Sequence, residues 1–540
     1  MATRGEGQAA GTPAVADSAG TVPREVPEIV RREVPEIVRR RLSPFEASGG
    51  VCSWLATAVV VAIAGVLRLA NLGSPPGKIF DERYYATEAH HLLQRGFEWD
   101  EKNNTAAYVV HPPLGKWMIG LGELVFGYNE IGWRISAAVV GTLSVLILVR
   151  VARRMFRSTV LGCAAGLLMA LDGMHLVMSR VALLDIFLMF FILAAFGTLL
   201  LDRDARRRHW LRALEAGLDP TAPGPAGRPP FSVPWWRLAT FVLLGCACAV
   251  KWSGVWYVLV FTMLMLYWEI QARRSAGVPR PWRDGLFGQL GWLALGGVLF
   301  LVVYLASWSG WLFTDGGYLR HWLRDTGRTE LPIVGALQNL WHYHVEALGF
   351  HTTLAKAHPY QSWPWQWLLL GRPVAFDWWC DGTCGGSTAV REVLLLGTPV
   401  LWWSFIPALA ALTWFGIARR DWRAVPIWAG VLAGLLPWFY FAAADERTMF
   451  YFYTLPAEPF LVLAVVYVLG AIMTPAPTFP STTTGSTLSD HDRRLIGAVV
   501  AGAYVLLVAA CFAYFYPLYV GKPLPYTEWA ARMWLGSRWI

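Results

Sequence analysis

The sequence predicts an all-α polytopic membrane protein with about eleven transmembrane helices. Three observations carry that expectation. Of 540 residues, 55% are hydrophobic and only 15% charged, a balance far from that of soluble domains. Apolar runs long enough to cross a hydrocarbon core of about 30 Å recur along the chain. Arginine-rich clusters fall on alternate connections between those runs, as membrane orientation requires.

The chain opens with a polar arm, residues 1–48, holding a duplicated octapeptide, REVPEIVR, at 24–31 and 32–39. A proline in each copy and no apolar face make it a disordered or loosely helical cytoplasmic arm. A cleaved signal peptide would need an apolar core near the start, so the first apolar segment is expected to be a retained span. Apolar runs follow at 53–71, 133–152, 159–177, 181–201, 236–251, 253–270, 284–306, 393–416, 424–442, 449–472 and 495–516. The clusters RVARRMFR (150–157), DRDARRRHW (202–210), QARRSAGVPRPWRD (271–284), ARRDWR (418–423) and HDRR (491–494) all share the side of the arm. This register requires that 114–132, weakly apolar and broken by Glu123, lie in the interface as a helix without crossing. The resulting organisation is an arm (1–48), a membrane module (49–306) with a first outer loop (72–132), a large outer loop (307–391), C-terminal helices (392–516) and an outer tail (517–540). Outer loops of such length are expected to be functional, and the tryptophans of HPYQSWPWQWLLLGRPVAFDWW (358–379) suit the headgroup level.

The net charge of +9 is accounted for by those orientation clusters, so nucleic acid is not an expected partner. Of seven cysteines only Cys380 and Cys384 lie in a polar loop, where an oxidising compartment would permit a disulfide.

Charged residues at membrane depth are costly and are paired or functional. The topology gathers them on the outer face: Asp81 and Glu82 after the first span, His111 and Lys116 in HPPLGK, and Arg134 at the second span. Asp172, Arg180 and Asp185 come from LDGMHLVMSRVALLD, Lys251 ends the fifth span, and Asp445, Glu446 and Arg447 stand in ADERTMFYFY. Adjacent carboxylates point in different directions, so Asp81 and Glu82 are not a glycosidase-type dyad. One could act as general base toward a hydroxyl while its neighbour holds a cation or the backbone. Arg134, Arg180, Lys251 and Arg447 could neutralise a lipid phosphate at the headgroup boundary. Plainer roles stay open, with arginines anchoring span ends, Asp185 pairing with Arg180, and Asp172 capping a helix.

The segments FDERYYATEAHHLLQRGFEWDEKNNTAAYVVHPPLGKWMIGLG, WRISAAVVGTL, SRVALLDIFLMFF and VKWSGVWYV, in that order, resemble the protein O-mannosyltransferases, membrane glycosyltransferases of the GT-C class. HPYQSWPWQW and RTMFYFYTLPA extend the resemblance into the C-terminal half. The resemblance implies a GT-C fold and transfer of mannose from polyprenyl-phosphate mannose to Ser or Thr hydroxyls of secreted polypeptides. It puts the catalytic aspartate on Asp81, its Glu neighbour on Glu82, the essential arginine on Arg134 and the Lys-Trp lysine on Lys251. Eukaryotic members carry a β-trefoil module in the large outer loop. Here 307–391 is too short for one, so the chain resembles bacterial, actinobacterial-type members, which implies a plasma-membrane location and a periplasmic catalytic face. The reaction expected is direct displacement with inversion, with Asp81 as base, Arg134, Arg180, Lys251 and Arg447 on the phosphate, and His111, Lys116, Asp172 and Asp185 supporting. No cofactor is implied, the lipid-linked donor being a substrate, and these cations make a divalent metal unnecessary in principle. The lipid bilayer is a partner, and the protein-export machinery is a candidate one. A GT-C enzyme with a lipid or glycan acceptor, an inactive partner of a related enzyme, and a secondary transporter are the alternative readings. Against a transporter, the spans show no duplicated half, and the polar groups gather on one face.

Overall fold

The computed structural model describes residues 34–45, 50–382, 389–444, 447–474 and 490–539. The first copy of the octapeptide, Cys384, Asp445 and Glu446 lie outside the described residues. Among the described residues nine helices are long and apolar enough to cross a membrane, and two shorter apolar helices, Thr159–Ala170 and Trp235–Val250, stand among them.

Burial sorts the bundle into centre and rim. The span Tyr451–Met473 is 78% buried, whereas Pro281–Ser307 is only 11% buried and so turns most of its surface outward. The helix Asp185–Glu215 packs beside Tyr451–Met473, through Phe196 edge-on to Phe460 at 5.0 Å. Close approach of helices needs small residues. Gly141, in the helix Glu130–Phe156, is one of them, since a Cβ there would sit 2.1 Å from Ser179 Oγ.

Several apolar runs are interrupted where the sequence predicts single spans. The run at 159–177 splits into Thr159–Ala170 and Gly173–Met178, because the Asp172 carboxylate accepts the His175 N–H and starts a new helix. The run at 393–416 begins as a strand and becomes helical only at Pro399. The run at 449–472 opens as a 3-10 turn, Tyr451–Ala457, before the helix Glu458–Met473. The segment 114–132 forms the helix Leu114–Phe126, with Leu121, Leu124 and Val125 exposed and Lys116 and Ile119 buried. It breaks at Gly127 before Asn129 caps the helix Glu130–Phe156.

The end of the arm is helical, one of the two expected states, but it carries an apolar face that was not expected. Glu36–Leu42 is helical, and Val34, Val38 and Leu42, four residues apart, form an apolar stripe packed with Trp210, Leu214, Ala272 and Ala276. Arg207 donates to the Arg41 carbonyl at 2.8 Å, tying this helix to Asp185–Glu215.

A thin layer covers the bundle end that bears Asp81. Strands β1 (Trp99–Asp100) and β2 (Thr105–Ala106) make a short hairpin within the first loop. Strand β3 (Val374–Cys380) pairs antiparallel with β4 (Ala389–Leu395), with a bulge between Ala375 and Asp377. Strand β5 (Leu524–Pro525), from the tail, pairs with β4 on its other edge. Trp529 donates to Glu392 at 2.6 Å and Trp539 to the Leu370 carbonyl at 2.7 Å, so the tail is stitched to the large loop. Cys380 is disulfide-bonded, while Cys52, Cys163, Cys246, Cys248 and Cys511 are free thiols.

Candidate active site

Asp81 owes its position to an unusual residue before it. Phe80 has φ of +47°, a left-handed conformation that costs a residue with a Cβ about 1–2 kcal/mol. Ring contacts hold it there: Phe80 stacks on Phe376 of β3 at 4.4 Å and meets Phe452 edge-on at 6.1 Å. The chain then enters the helix Glu82–Arg95 with Asp81 at its N-cap, but the Asp81 side chain makes no capping hydrogen bond. Its carboxylate is half-buried and without a salt bridge among the described residues. Burial lifts the Asp81 carboxyl to about 6; the Lys251 charge opposes that rise, and Asp185 and Glu88 add to it.

Glu82 turns the opposite way, into the protein. Its carboxylate receives Arg134 Nε and Nη2 at 2.8 Å each and the backbone N–H groups of Ile79 and Ala182 at 3.0 Å each. Arg134 spends its remaining donors on the carbonyls of Leu72, Pro75 and Gly77 at 3.3, 2.8 and 2.9 Å. A fully buried forked pair thus fixes the loop leading to Asp81 and ties it to the segment before Asp185.

Around Lys251 and Asp185, whose charges act on Asp81, opens a cavity of about 590 Å³. Its wall is largely apolar, with Leu188, Val255, Leu301, Val345, Leu348 and Phe441, and its polar groups are few: His111, Asp185, Lys251, His344, His351 and Arg447 among them. Lys251 sits in extended backbone between Trp235–Val250 and the 3-10 turn Trp252–Gly254, and its Nζ donates to Asp185 Oδ2 at 2.7 Å. Arg447 donates to the His351 carbonyl, and His351 Nε2 lies 3.0 Å from the Val110 carbonyl. The His111 and His351 rings are 5.4 Å apart. Burial and the cations Lys251, Lys116 and Arg447 drive His111 well below its ordinary value, and burial brings His351 to about 4, so both rings are neutral near pH 7. Among the described residues no three His, Cys, Asp or Glu side chains gather as a metal site.

The structure brings Lys251, Asp185, His111 and Arg447 to the wall of one cavity, sets Asp81 within reach of the Lys251 and Asp185 charges, and sends the other sequence candidates elsewhere. Arg180 donates to the carbonyls of Leu67, Arg68, Ala70 and Asn71, closing the C-terminal turn of the helix Gly50–Leu69. Asp185 therefore pairs with Lys251 and not with Arg180. Asp172 caps Gly173–Met178 and also accepts from Thr398 N and Trp402 Nε1 at 2.9 and 2.8 Å. Lys116 is buried between Glu98 and Glu88. Three contributors lay outside the sequence reading: His344 and His351, seven apart on the helix Pro332–Thr353, and Tyr304, whose hydroxyl meets His344 Nε2 at 2.6 Å. The seven-residue spacing of the histidines was their one signal.

Comparison with known proteins agrees with this architecture. Residues 58–219 match the family model of dolichyl-phosphate-mannose-protein mannosyltransferase, and residues 336–539 match that of the C-terminal four-transmembrane region of protein O-mannosyltransferase. The chain is 41% identical to the polyprenol-phosphate-mannose–protein mannosyltransferase of Mycolicibacterium smegmatis, over 90% of this chain and 92% of that protein. It is 33% identical to the enzyme of the same name from Corynebacterium glutamicum, over 89% and 92%. The solved Pmt1–Pmt2 complex of S. cerevisiae, bound to its sugar donor, matches in fold with a TM-score of 0.66 at 16% identity, over 94% of both chains. An archaeal oligosaccharyltransferase from Archaeoglobus fulgidus matches with a TM-score of 0.52 at 13% identity, over 88% of this chain and 56% of that one. The chain is a membrane glycosyltransferase of GT-C fold and belongs to the protein O-mannosyltransferase family.

Proposed function

We propose that this enzyme transfers mannose from polyprenyl-phosphate mannose to Ser or Thr hydroxyls of secreted polypeptides, with Asp81 as general base. The observation that carries the reading is a half-buried carboxylate, without a salt bridge among the described residues, that feels the charge of Lys251 in the wall of a largely apolar cavity also lined by Arg447. The isoprenoid chain would lie along the apolar wall and the phosphate beside the two cations. Asp81 accepts the hydroxyl proton as that oxygen bonds to the anomeric carbon. The bond from that carbon to the phosphate oxygen breaks, and the lipid phosphate leaves with the electron pair. Attack from the opposite face inverts a β-linked donor into an α-linked product. Lys251 and Arg447 stabilise the charge that grows on the leaving phosphate. Glu82, Arg134 and Arg180 act as positioning residues, because their polar atoms are engaged within the protein.

The arginine clusters of the opposite bundle end support a plasma-membrane orientation with the arm cytoplasmic and Asp81 outward. Acceptors would then be met as they leave the export machinery.

The test follows label from β-linked polyprenyl-phosphate mannose into a Ser/Thr-rich peptide. An α-mannosyl peptide is expected; label recovered only in lipid or glycan would overturn the acceptor assignment, and a β product the single-displacement mechanism. Because the base must be unprotonated, the rate should rise with pH through about 6 and then level off. An acid limb near the ordinary aspartate value would take that role from Asp81.

Lys251→Ala should lower kcat/KM for the donor by roughly 10–100-fold, through the lost charge-assisted contact. A value matching wild type would make Lys251 only the structural partner of Asp185.

A further inference from the structure

A second cavity, of about 620 Å³, lies at the bundle end opposite Asp81. Asp185 and Arg206 stand on the same helix, about 30 Å apart at 1.5 Å per residue. The wall of this cavity contains Arg206, Arg228, Arg273, Arg280, Arg283 and a single aspartate, Asp284. The deeper carboxylates are already engaged. Arg237 binds Asp202 and Glu269 at 2.9 and 2.8 Å, and Glu269 also takes Arg273 and Arg206. Arg228, Arg280 and Arg283 are exposed and make no salt bridge among the described residues.

The surroundings are those of a membrane boundary. Phe231, a wall residue, is 84% exposed, and Trp235 and Trp282 beside the wall are also exposed. Aromatic side chains of this kind sit at headgroup level, where a cavity opening between spans meets phosphate esters. Arginine forks match phosphate oxygens, and a volume of this size suits a small anionic headgroup.

We infer that this cavity is a binding site for a phosphate ester, separate from the donor site, and held chiefly by Arg228, Arg280 and Arg283. Its occupant is either the headgroup of an anionic lipid or a free phosphate ester, both recognised by the same forked contacts.

The test uses the full chain in detergent. It is offered an equimolar mixture of phosphatidylglycerol and phosphatidylcholine, and retained lipid is read by native mass spectrometry. The wild type should retain phosphatidylglycerol preferentially, and the triple variant Arg228→Gln, Arg280→Gln, Arg283→Gln should lose at least about tenfold of that retention. A parallel arm measures glycerol phosphate binding by calorimetry. Arginine-dependent binding of glycerol phosphate as tight as that of the lipid assigns a free ester, and arginine-dependent lipid retention alone assigns a headgroup. Absence of any preference in the wild type together with no glycerol phosphate binding overturns the site, and so does a triple variant indistinguishable from wild type in both arms. The wild-type measurements need no substitution, so a folding defect in the variant would not shield the inference.

Discussion

Asp81→Asn yields a folded enzyme whose transfer rate at saturating donor falls roughly 10²–10⁴-fold, the range for loss of a general base. The substitution keeps shape and removes the proton acceptor. The Asp81 side chain makes no capping hydrogen bond, so none is lost from that helix start. Stability should move the other way from activity. A carboxyl lifted to about 6 in the folded chain, from an ordinary value of 3.8, opposes folding at every pH above 6, and that opposition fades as pH falls through 6 toward 4. Near pH 7.5 the variant should therefore melt at or above the wild-type temperature, while at pH near 4 the two should converge. Initial rates of label transfer, donor KM and thermal midpoints check all three. A rate within about threefold of wild type would remove Asp81 from the reaction.

Arg134→Ala has the second large effect, and it acts on the fold. Removing the guanidinium leaves Glu82 charged, fully buried and facing only the Ile79 and Ala182 N–H groups. Breaking a buried pair in this way costs about 3–5 kcal/mol. The carbonyls of Leu72, Pro75 and Gly77 lose their donor in the same step, so the loop before Asp81 loses its anchor. Folded yield and thermal midpoint should drop sharply, and the protein that survives should transfer little. Arg134→Lys should not rescue it, because one ammonium cannot reproduce the fork on Glu82 together with three carbonyl contacts. A midpoint unchanged in Arg134→Ala would refute the anchoring role.

The membrane-crossing segments were legible because lipid exposure demands long apolar runs, and composition records them directly. Their interruptions were not. An apolar run entering a strand, as at Ala389–Leu395, looks the same as the start of a span, and only pairing with β3 separates the two. At the site, the residue types were legible and the partnerships were not. Asp185 pairs with Lys251, 66 positions away, although Arg180 stands much nearer in sequence. Glu82 and Arg134 each carried a sequence signal, yet that they bind one another depends on how the first loop folds back. The apolar stripe of Val34, Val38 and Leu42 was hidden for a different reason. Proline at 35 argued against helix, yet it precedes the helix start at Glu36, where it is tolerated.

Strand order sets a timetable for the nascent chain. Phe80 leans on Phe376 in β3, β3 pairs with β4, and β4 with β5, which follows the last membrane helix. A polypeptide emerging from the ribosome makes Asp81 early, but the aromatic prop behind it arrives some 300 residues later and the closing strand later still. Until those segments are inserted, Phe80 has no stacking contact to repay its left-handed backbone. With Asp81 as the base, catalytic competence would switch on only when insertion is nearly complete, and half-made molecules would be silent toward any sugar donor they meet.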